Sequence, residues 1–158
     1  HLDRNKASQE ITRFVTIPPG QSKVVVRLDE AGIGLFRREH ILSATLSGKN
    51  GEIIARTNSL TDIERHIAFP NAKLNMLVKN DELVITTDKF AHTVVLDGDS
   101  GGEKLGWFFE DNYFDVMPGE TKIVKILGKH KSGIITAKPW YSSESAEVNW
   151  NREIENEK

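Results

Sequence analysis

Apolar and polar residues alternate with a period of two along most of this sequence, in short runs that Gly, Asn, Asp and Pro separate. Val24, Val26 and Leu28 share one side of such a run, whereas Lys23 and Arg27 share the other. Because successive side chains of a β-strand point to opposite faces of the sheet, this alternation predicts a half-buried strand. Further strands are predicted at Ile11 to Ile17, His40 to Leu46, Glu52 to Arg56, Leu74 to Val78, Leu83 to Thr87, Phe90 to Leu96, Leu105 to Phe109, Tyr113 to Met117, Thr121 to Leu127 and Gly133 to Lys138.

Two of the connections carry strong hairpin signals. Asn50-Gly51 supplies residues that tolerate a positive φ angle between two runs, and Asn80-Asp81 joins two other runs. Ala31 to Glu39 and Asp62 to Phe69 fit single helical turns, but neither carries a sustained apolar stripe of helical period. Many short strands with few helices predict an all-β fold of the sandwich type.

A Pro-Gly turn occurs twice in nearly the same setting. Ile17 to Val25 and Val116 to Val124 each contain an apolar strand end, Pro-Gly, two polar residues, a lysine and β-branched residues. Pro presets the φ angle at the second position of a type II turn, and Gly supplies the positive φ angle that follows. Pro19 and Pro118 lie 99 positions apart. This is about the length of one immunoglobulin-like domain, roughly 100 residues, so two tandem sandwiches are predicted.

The two turns divide the chain into three predicted segments. Residues 1–70 are predicted to be the C-terminal part of a first immunoglobulin-like domain plus a linker, which lies near residues 58–71. Residues 71–141 are predicted to form a nearly complete second domain, and residues 142–158 an acidic polar tail that is disordered or weakly helical. The predicted fold class is an all-β immunoglobulin-like β-sandwich, a partial one followed by a nearly complete one. Strands missing from the first unit leave unpaired edges, so strand-mediated self-association is expected.

Composition excludes several function classes. The chain has 158 residues, 21 Lys and Arg, 23 Asp and Glu, a formal net charge of −2 and no cysteine. Without cysteine there is no disulfide framework, thiolate metal site or thiol nucleophile. No apolar run approaches the roughly 20 residues that cross a bilayer, and no basic stripe marks a nucleic-acid partner, so neither a membrane nor a nucleic acid is expected as partner. Residues 1–10 carry no signal-peptide pattern, which leaves a secreted or periplasmic location to a signal on a longer parent protein.

Residues that carry out chemistry in enzymes form no catalytic or metal-binding pattern in this sequence. The five histidines include no pair at i, i+4 spacing, so no metal site is predicted. Glu110, Asp111 and Asp115 lie near aromatic residues, but their positions at turns and strands favour backbone hydrogen bonding over a glycosidase carboxylate pair. Residues 98–102 form a glycine-rich connection without the lysine and hydroxyl residue that end a phosphate loop. No catalytic residue and no cofactor is predicted.

Aromatic residues supply the candidate contact surface. They are concentrated between Trp107 and Phe114, where strand alternation predicts that Phe108 and Phe114 face the core. Trp107, Phe109 and Tyr113 are then predicted to face outwards. Outward rings either pack against a neighbouring domain or stack on a sugar ring, and the enrichment of aromatic residues in interface cores favours the domain contact. The candidate contact residues are Trp107, Phe109, Tyr113, Trp140 and Tyr141, and Trp150 is expected to pack in a similar way.

Two segments of the sequence resemble a known protein family. Residues 90–96, Phe-Ala-His-Thr-Val-Val-Leu, and residues 111–120, Asp-Asn-Tyr-Phe-Asp-Val-Met-Pro-Gly-Glu, are similar to the C-terminal immunoglobulin-like domain of β-mannosidases in glycoside hydrolase family 2. Residues 54–58 and 69–74 resemble the end of the preceding immunoglobulin-like domain in those enzymes and its junction. The resemblance covers roughly residues 11–140.

The resemblance implies a fold and an accessory role. Enzymes of this family hydrolyse β-mannosides with retention, by means of two carboxylates on a (β/α)8 barrel, and no string of this chain matches the motif around either glutamate. A non-catalytic fragment is therefore implied, which packs against the remainder of a parent glycosidase, its catalytic barrel and neighbouring sandwich domains. The alternatives are a carbohydrate-binding module that uses exposed aromatic rings and a general interaction domain unrelated to glycosidases.

Overall fold

The computed structural model describes residues 1, 2, 7, 9–27 and 38–152. These residues form an all-β structure, which confirms the predicted fold class. The chain divides into two compact units, residues 1–68 and residues 69–158. In chain order the elements are β1 (Ile41–Ser47), β2 (Ile53–Leu60), a 3-10 helix (Glu64–His66), β3 (Leu74–Lys79), β4 (Glu82–Thr87), β5 (Ala91–Asp99), β6 (Phe114–Val116), β7 (Lys122–Lys125), β8 (Ser132–Pro139) and β9 (Ala146–Asn151).

The second unit is an immunoglobulin-like sandwich of two antiparallel sheets. One sheet has the strand order β3-β4-β7, and the other has the order β6-β5-β8-β9. Strands β3, β4 and β7 thus share one sheet, although β5 and β6 of the other sheet lie between β4 and β7 in the chain. Such crossings between sheets are the Greek-key connections of immunoglobulin-like sandwiches. The hairpin predicted around Asn80 and Asp81 joins β3 to β4, and Asn80 takes the positive φ angle of 57° that the turn needs.

The core of the second unit consists of alternate residues from both sheets. Leu83 and Ile85 of β4 are completely buried, whereas the residues that flank them on the strand are only partly buried. Full burial of one aliphatic side chain stabilises a fold by about 1.5–3 kcal/mol, so these positions supply the main stabilising term. The buried core comprises Ala72, Met76, Leu83, Ile85, Ala91, Val94, Leu96, Phe114, Val116, Val124, Ile126, Ile135, Ala137 and Trp150.

The predicted C-terminal tail is wrong for residues 146–151, which form β9. This strand pairs with β8 over its whole length and completes the four-stranded sheet. Ala146, Val148 and Trp150 are the inward positions, and Trp150 is only 2% exposed. The polar and acidic residues of this segment occupy the alternate, outward positions of the strand. For this reason its overall composition hides the alternation of a half-buried strand. Residues 153–158 lie outside the described part of the chain.

Trp107 packs against this core, and its ring lies directly on two glycine residues of the sheet. Its indole ring covers Gly98 of β5 and Gly133 of β8, where a Cβ on Gly133 would stand 2.6 Å from the ring and one on Gly98 would overlap it. His130 stacks on the same indole with ring centroids 4.8 Å apart, and Trp150 meets it edge-on at 5.4 Å. The missing side chains at both glycines are therefore required for the ring to approach the sheet.

In the first unit, the described residues contain the predicted hairpin of β1 and β2. The two strands pair antiparallel from Ile41 opposite Leu60 to Ser47 opposite Ile53, with a β-bulge near Ser47. Gly51 in the turn has a φ angle of 84°, as predicted for this position. The linker prediction is wrong for residues 58–60, which extend β2, while the short helical turn predicted after residue 62 is confirmed by the 3-10 helix.

The predicted strands at Ile11 to Ile17 and Ser22 to Leu28 are wrong wherever the structure describes them. Residues 9–27 contain no strand and are exposed, and Leu28 lies outside the described residues, as do residues 31–37 of the other predicted helical turn. The Pro-Gly turn between these runs does form, with the Gln21 N–H donating to the Pro18 carbonyl at 3.2 Å.

The second Pro-Gly turn lies between paired strands, whereas the first has no strand beside it among the described residues. In the second unit, the Glu120 N–H donates to the Met117 carbonyl at 3.0 Å, and the strands before and after this turn, β6 and β7, pair with β5 and β4. The described residues of the first unit contain no counterpart of β4 or β5. A strand without a neighbour leaves its backbone groups unpaired, so apolar alternation alone does not produce one.

We expect Gly98→Ala to lower the free energy of unfolding by about 1–3 kcal/mol, because the new methyl group displaces the Trp107 ring. Urea unfolding followed by far-ultraviolet circular dichroism measures the change. The control is the same substitution in a Trp107→Ala background, where the methyl group has room and its effect is expected to fall below about 0.5 kcal/mol. An equal loss in both backgrounds would contradict the packing described here.

Candidate functional site

Asn112 fastens the segment before β6 to the central strand β5. Its side-chain Oδ1 accepts from the Leu96 N–H at 2.8 Å, and its Nδ2 donates to the Leu96 carbonyl at 3.0 Å. The same Oδ1 accepts from the N–H of Tyr113 at 2.9 Å. The amide side chain therefore takes the place of a neighbouring strand residue and satisfies both backbone groups of Leu96.

Asp111 and Asp115, which lie on either side of Asn112 in residues 111–120, also bind partners within the second unit. The Asp115 Oδ1 accepts from the Thr93 N–H at 3.0 Å and lies 2.8 Å from Nδ1 of His92. Because a carboxylate only accepts, this contact assigns the Nδ1 proton to His92. Thr93 has a φ angle of 49° at an irregularity in the pairing of β5 with β6, and Asp115 caps that irregularity. Asp111 forms an ion pair with Lys122.

Tyr113 differs from its neighbours in the string because its side chain points into solvent. The residue is 68% exposed and has a φ angle of 61°, whereas Phe114 is 8% exposed and belongs to the core. A bulky residue in the left-handed region costs roughly 1–3 kcal/mol of backbone strain. Tyr113 thus combines a strained backbone with a largely exposed side chain.

A stack of three rings holds the first residue of the second unit. Phe69 lies between His92, at a centroid distance of 4.9 Å, and Tyr141, at 4.7 Å. The Tyr141 hydroxyl donates to the carbonyls of Pro70 and Phe90 at 3.2 and 3.1 Å. The stack therefore joins the start of the unit to β5 and to the connection between β8 and β9.

Burial raises the pKa of Tyr141 to about 12. A backbone hydrogen bond with His92 lowers the pKa, while the negative charges of Asp115 and Asp88 raise it further. The phenol therefore remains protonated, and able to donate, well beyond the ordinary tyrosine range. In the first unit, the pKa of Asp62 is lowered, mainly because its carboxylate accepts from the Ile63 N–H at 2.7 Å.

The predicted contact residues differ in burial. Trp107 and Phe109 are partly buried and pack against the core, and Tyr141 belongs to the ring stack, so the outward orientation predicted for the first two is wrong. Tyr113 and Trp140 are exposed, at 68% and 55%, and they flank strands β6 and β8 of the four-stranded sheet. Their proposed role as contacts remains a prediction.

The alternation from Trp107 to Phe114 has the opposite phase from the predicted one at its start. Phe108, predicted to face the core, is 62% exposed. Residues 105–109 are not a strand, and only Phe109 forms a bridge, with Ile126. A period of two does not determine which face of the chain is buried. In addition, the positive φ angle of Tyr113 interrupts the regular alternation of side chains just before Phe114.

Sequence reasoning missed three residues that organise this region. Asn112 has an amide that faces a strand, Phe69 begins the second unit, and His130 stacks on Trp107. The Asp-Asn-Tyr-Phe-Asp string was a signal for the first, because Asn next to a strand often replaces backbone hydrogen bonds. Nothing in the linear pattern pairs Phe69 with Tyr141, which lies far along the chain.

A cleft beside β3 is a further feature of the described residues. No group of three or more potential metal ligands occurs among them, and no helix among them is long and apolar enough to cross a membrane. An open cleft of about 320 Å³ lies beside the start of β3, and its lining includes none of the predicted contact residues. The cleft is lined by Ala72, Lys73, Leu74, Asn75, Glu144, Ser145 and Ala146.

Comparison with known families bears directly on the second unit. Residues 69–139 match the family model Ig_mannosidase, described as an Ig-fold domain. The second unit is therefore similar to the Ig-fold domains that this family model describes. The matched range begins at Phe69, the residue held by the ring stack, and ends with β8, so β9 extends the sheet beyond it. A search of curated proteins finds no match to the chain.

We expect Asn112→Ala to lower the free energy of unfolding of the second unit by about 2–3 kcal/mol, because both backbone groups of Leu96 lose their partner. The matched control is Asn149→Ala on the outer side of β9, where the change should stay within about 0.5 kcal/mol. Chemical denaturation of both variants gives the comparison, and equal stability of the two would show that the Asn112 bonds contribute little.

We expect the stabilising effect of the Tyr141 hydroxyl to disappear as the pH rises from about 10 towards 12. The pKa of this phenol is raised in the folded chain, so the stabilisation is complete below the unfolded pKa of about 10 and is lost above it. At pH 8, Tyr141→Phe should lower the free energy of unfolding by about 1–2 kcal/mol through the lost hydrogen bonds. The difference between wild type and variant, measured by denaturation across this range, should shrink with rising pH; a constant difference contradicts the assignment.

Proposed function

We propose that the chain is a non-catalytic accessory part of a β-mannosidase-like glycoside hydrolase. In this proposal it packs against the catalytic part, which hydrolyses β-mannosides with retention, and stabilises it. The match of residues 69–139 to the mannosidase immunoglobulin-fold family is the observation that carries the proposal. The first unit and the exposed aromatic residues of the second supply the surfaces for such packing.

The hydrogen bonds and the ion pair made by Asp111 and Asp115 support a structural role for residues 111–120, the segment that resembles the β-mannosidase domain. A retaining glycosidase needs two carboxyl groups about 5–5.5 Å apart, one as nucleophile and one as acid and base. Asp115 is bound to the backbone of Thr93 and to His92, and Asp111 is paired with Lys122. These carboxylates hold strands and loops in place, which is what an accessory domain requires.

The strain at Tyr113 supports an external contact for that ring. A position that costs folding free energy and leaves its side chain largely exposed is explained when that side chain binds outside the domain. Large exposed aromatic rings are the residues that most often dominate binding at interfaces. Tyr113 and Trp140 are therefore the proposed anchors against the catalytic part.

The test replaces these anchors in the parent enzyme. Tyr113→Asn removes the ring with a residue that tolerates a positive φ angle, so backbone damage is avoided, and Trp140→Ser removes the second ring. Each loss should cost about 2 kcal/mol of contact free energy and shorten the half-life of β-mannosidase activity at raised temperature severalfold. Ile123→Asn, which removes an exposed apolar side chain from the other sheet, is the matched control and should leave the half-life unchanged.

Two results would overturn the proposal. One is turnover of a chromogenic β-mannoside by the isolated chain, since an accessory part has no catalytic pair. The other is an unchanged half-life for the Tyr113→Asn and Trp140→Ser enzymes, which would remove the packing role of this surface.

A second candidate function is carbohydrate binding, and the exposed ring of Trp140 favours it. Sugars present an apolar C–H face that stacks on such a ring, and Trp150, by contrast, is 2% exposed. Titration of the chain with manno-oligosaccharides should then change the Trp fluorescence, and the change should be absent in Trp140→Phe. A flat response from the folded wild-type chain excludes this function.

A further inference from the structure

β1 is the one strand among the nine described that carries no charged residue. Its sequence is Ile-Leu-Ser-Ala-Thr-Leu-Ser, and within the described residues it pairs only with β2. Natural proteins protect free strand edges with charges, prolines or short length. The other edge strands follow this rule: β2 carries Arg56, β3 Lys79, β7 Lys122 and Lys125, β9 Glu147, and β6 has three residues that include Asp115.

The centre of β1 is a chemical palindrome. Ala44 is flanked by the hydroxyl residues Ser43 and Thr45, and these are flanked by Leu42 and Leu46. If two copies of the strand run antiparallel about a two-fold axis at Ala44, Leu42 faces Leu46 of the other copy and Ser43 faces Thr45. Apolar side chains then meet on one face and hydroxyl groups on the other, which is the self-complementarity that a two-fold interface requires.

The apolar side of this strand is exposed in the single chain. Leu46 is 50% exposed, and Ala44 is exposed beside it on the same face. Ala55 and Thr57 of β2 lie opposite these two residues and extend the face. A two-stranded hairpin is at best marginally stable alone, whereas three or more strands with an apolar face support one another.

We propose that two copies of this chain associate through β1, forming a four-stranded sheet in the order β2-β1-β1-β2. The axis passes at Ala44, and antiparallel main-chain hydrogen bonds join the two β1 edges. The interface is small and belongs to the weak, transient class, so it is detected best by a covalent trap. This inference rests on the first unit and does not depend on the proposed glycosidase role.

Ala44→Cys supplies such a trap, because the chain has no cysteine of its own. Residues on the axis of an antiparallel pair have Cα atoms about 4.5–5.5 Å apart, within the range of a disulfide. Under mild oxidation Ala44→Cys should form a cross-linked dimer at least about tenfold faster than the matched control Ala55→Cys on β2. Equal rates, or no cross-link, would overturn the proposal.

A charge-exchange experiment tests the same axis without a covalent bond. Ala44→Lys and Ala44→Glu each place like charges opposite one another and should weaken association at least about tenfold in sedimentation velocity, while Ala55→Lys should not. An equimolar mixture of Ala44→Lys and Ala44→Glu should regain the dimer, which shows that both variants fold. A monomeric wild-type chain at high concentration, an undiminished Ala44→Lys dimer, or no recovery in the mixture would each overturn the proposal.

Discussion

The need of every strand for a hydrogen-bonded neighbour decides where sheet forms in this chain. In the second unit seven strands find neighbours, and their alternate residues close a common core. In the first unit the hairpin of β1 and β2 is the sheet that the described residues contain, because these two strands are adjacent in sequence and pair with each other. The apolar runs around the first Pro-Gly turn have the composition of strands but no described neighbour, and their described residues form no strand and are exposed.

This constraint also marks how far sequence reasoning reaches. Period-two patterns located both hairpins and strands β3 to β8 of the second unit, because the burial of one face of a strand appears directly as alternation in the sequence. The same pattern failed at Ile11 to Ile17, since a neighbour strand is not visible in a local run. It was overlooked at β9, where Glu147 and the asparagines on the outer face outweighed three inward apolar residues.

The aromatic residues show why a site is harder to predict than a fold. Their number and spacing drew attention to residues 107–114, but the phase of burial depended on one tyrosine in the left-handed region and on two glycines beneath Trp107. Likewise, residues 111–120 contain acidic side chains of the kind that act in catalysis. In the structure, Asp111 and Asp115 instead hold loops and a bulged strand in place. Composition locates the region, whereas backbone conformation assigns each side chain to the interior or the surface.

The ring stack at Phe69 has a mechanical consequence. β3 is an edge strand and follows directly after the first residues of the second unit, so tension applied to the preceding chain would ordinarily peel it from β4 one bond at a time. Phe69 instead transmits that tension to His92 and Tyr141, and through them to the four-stranded sheet. The start of the domain is thus fixed to its opposite sheet, and the edge strand β3 carries less of the load.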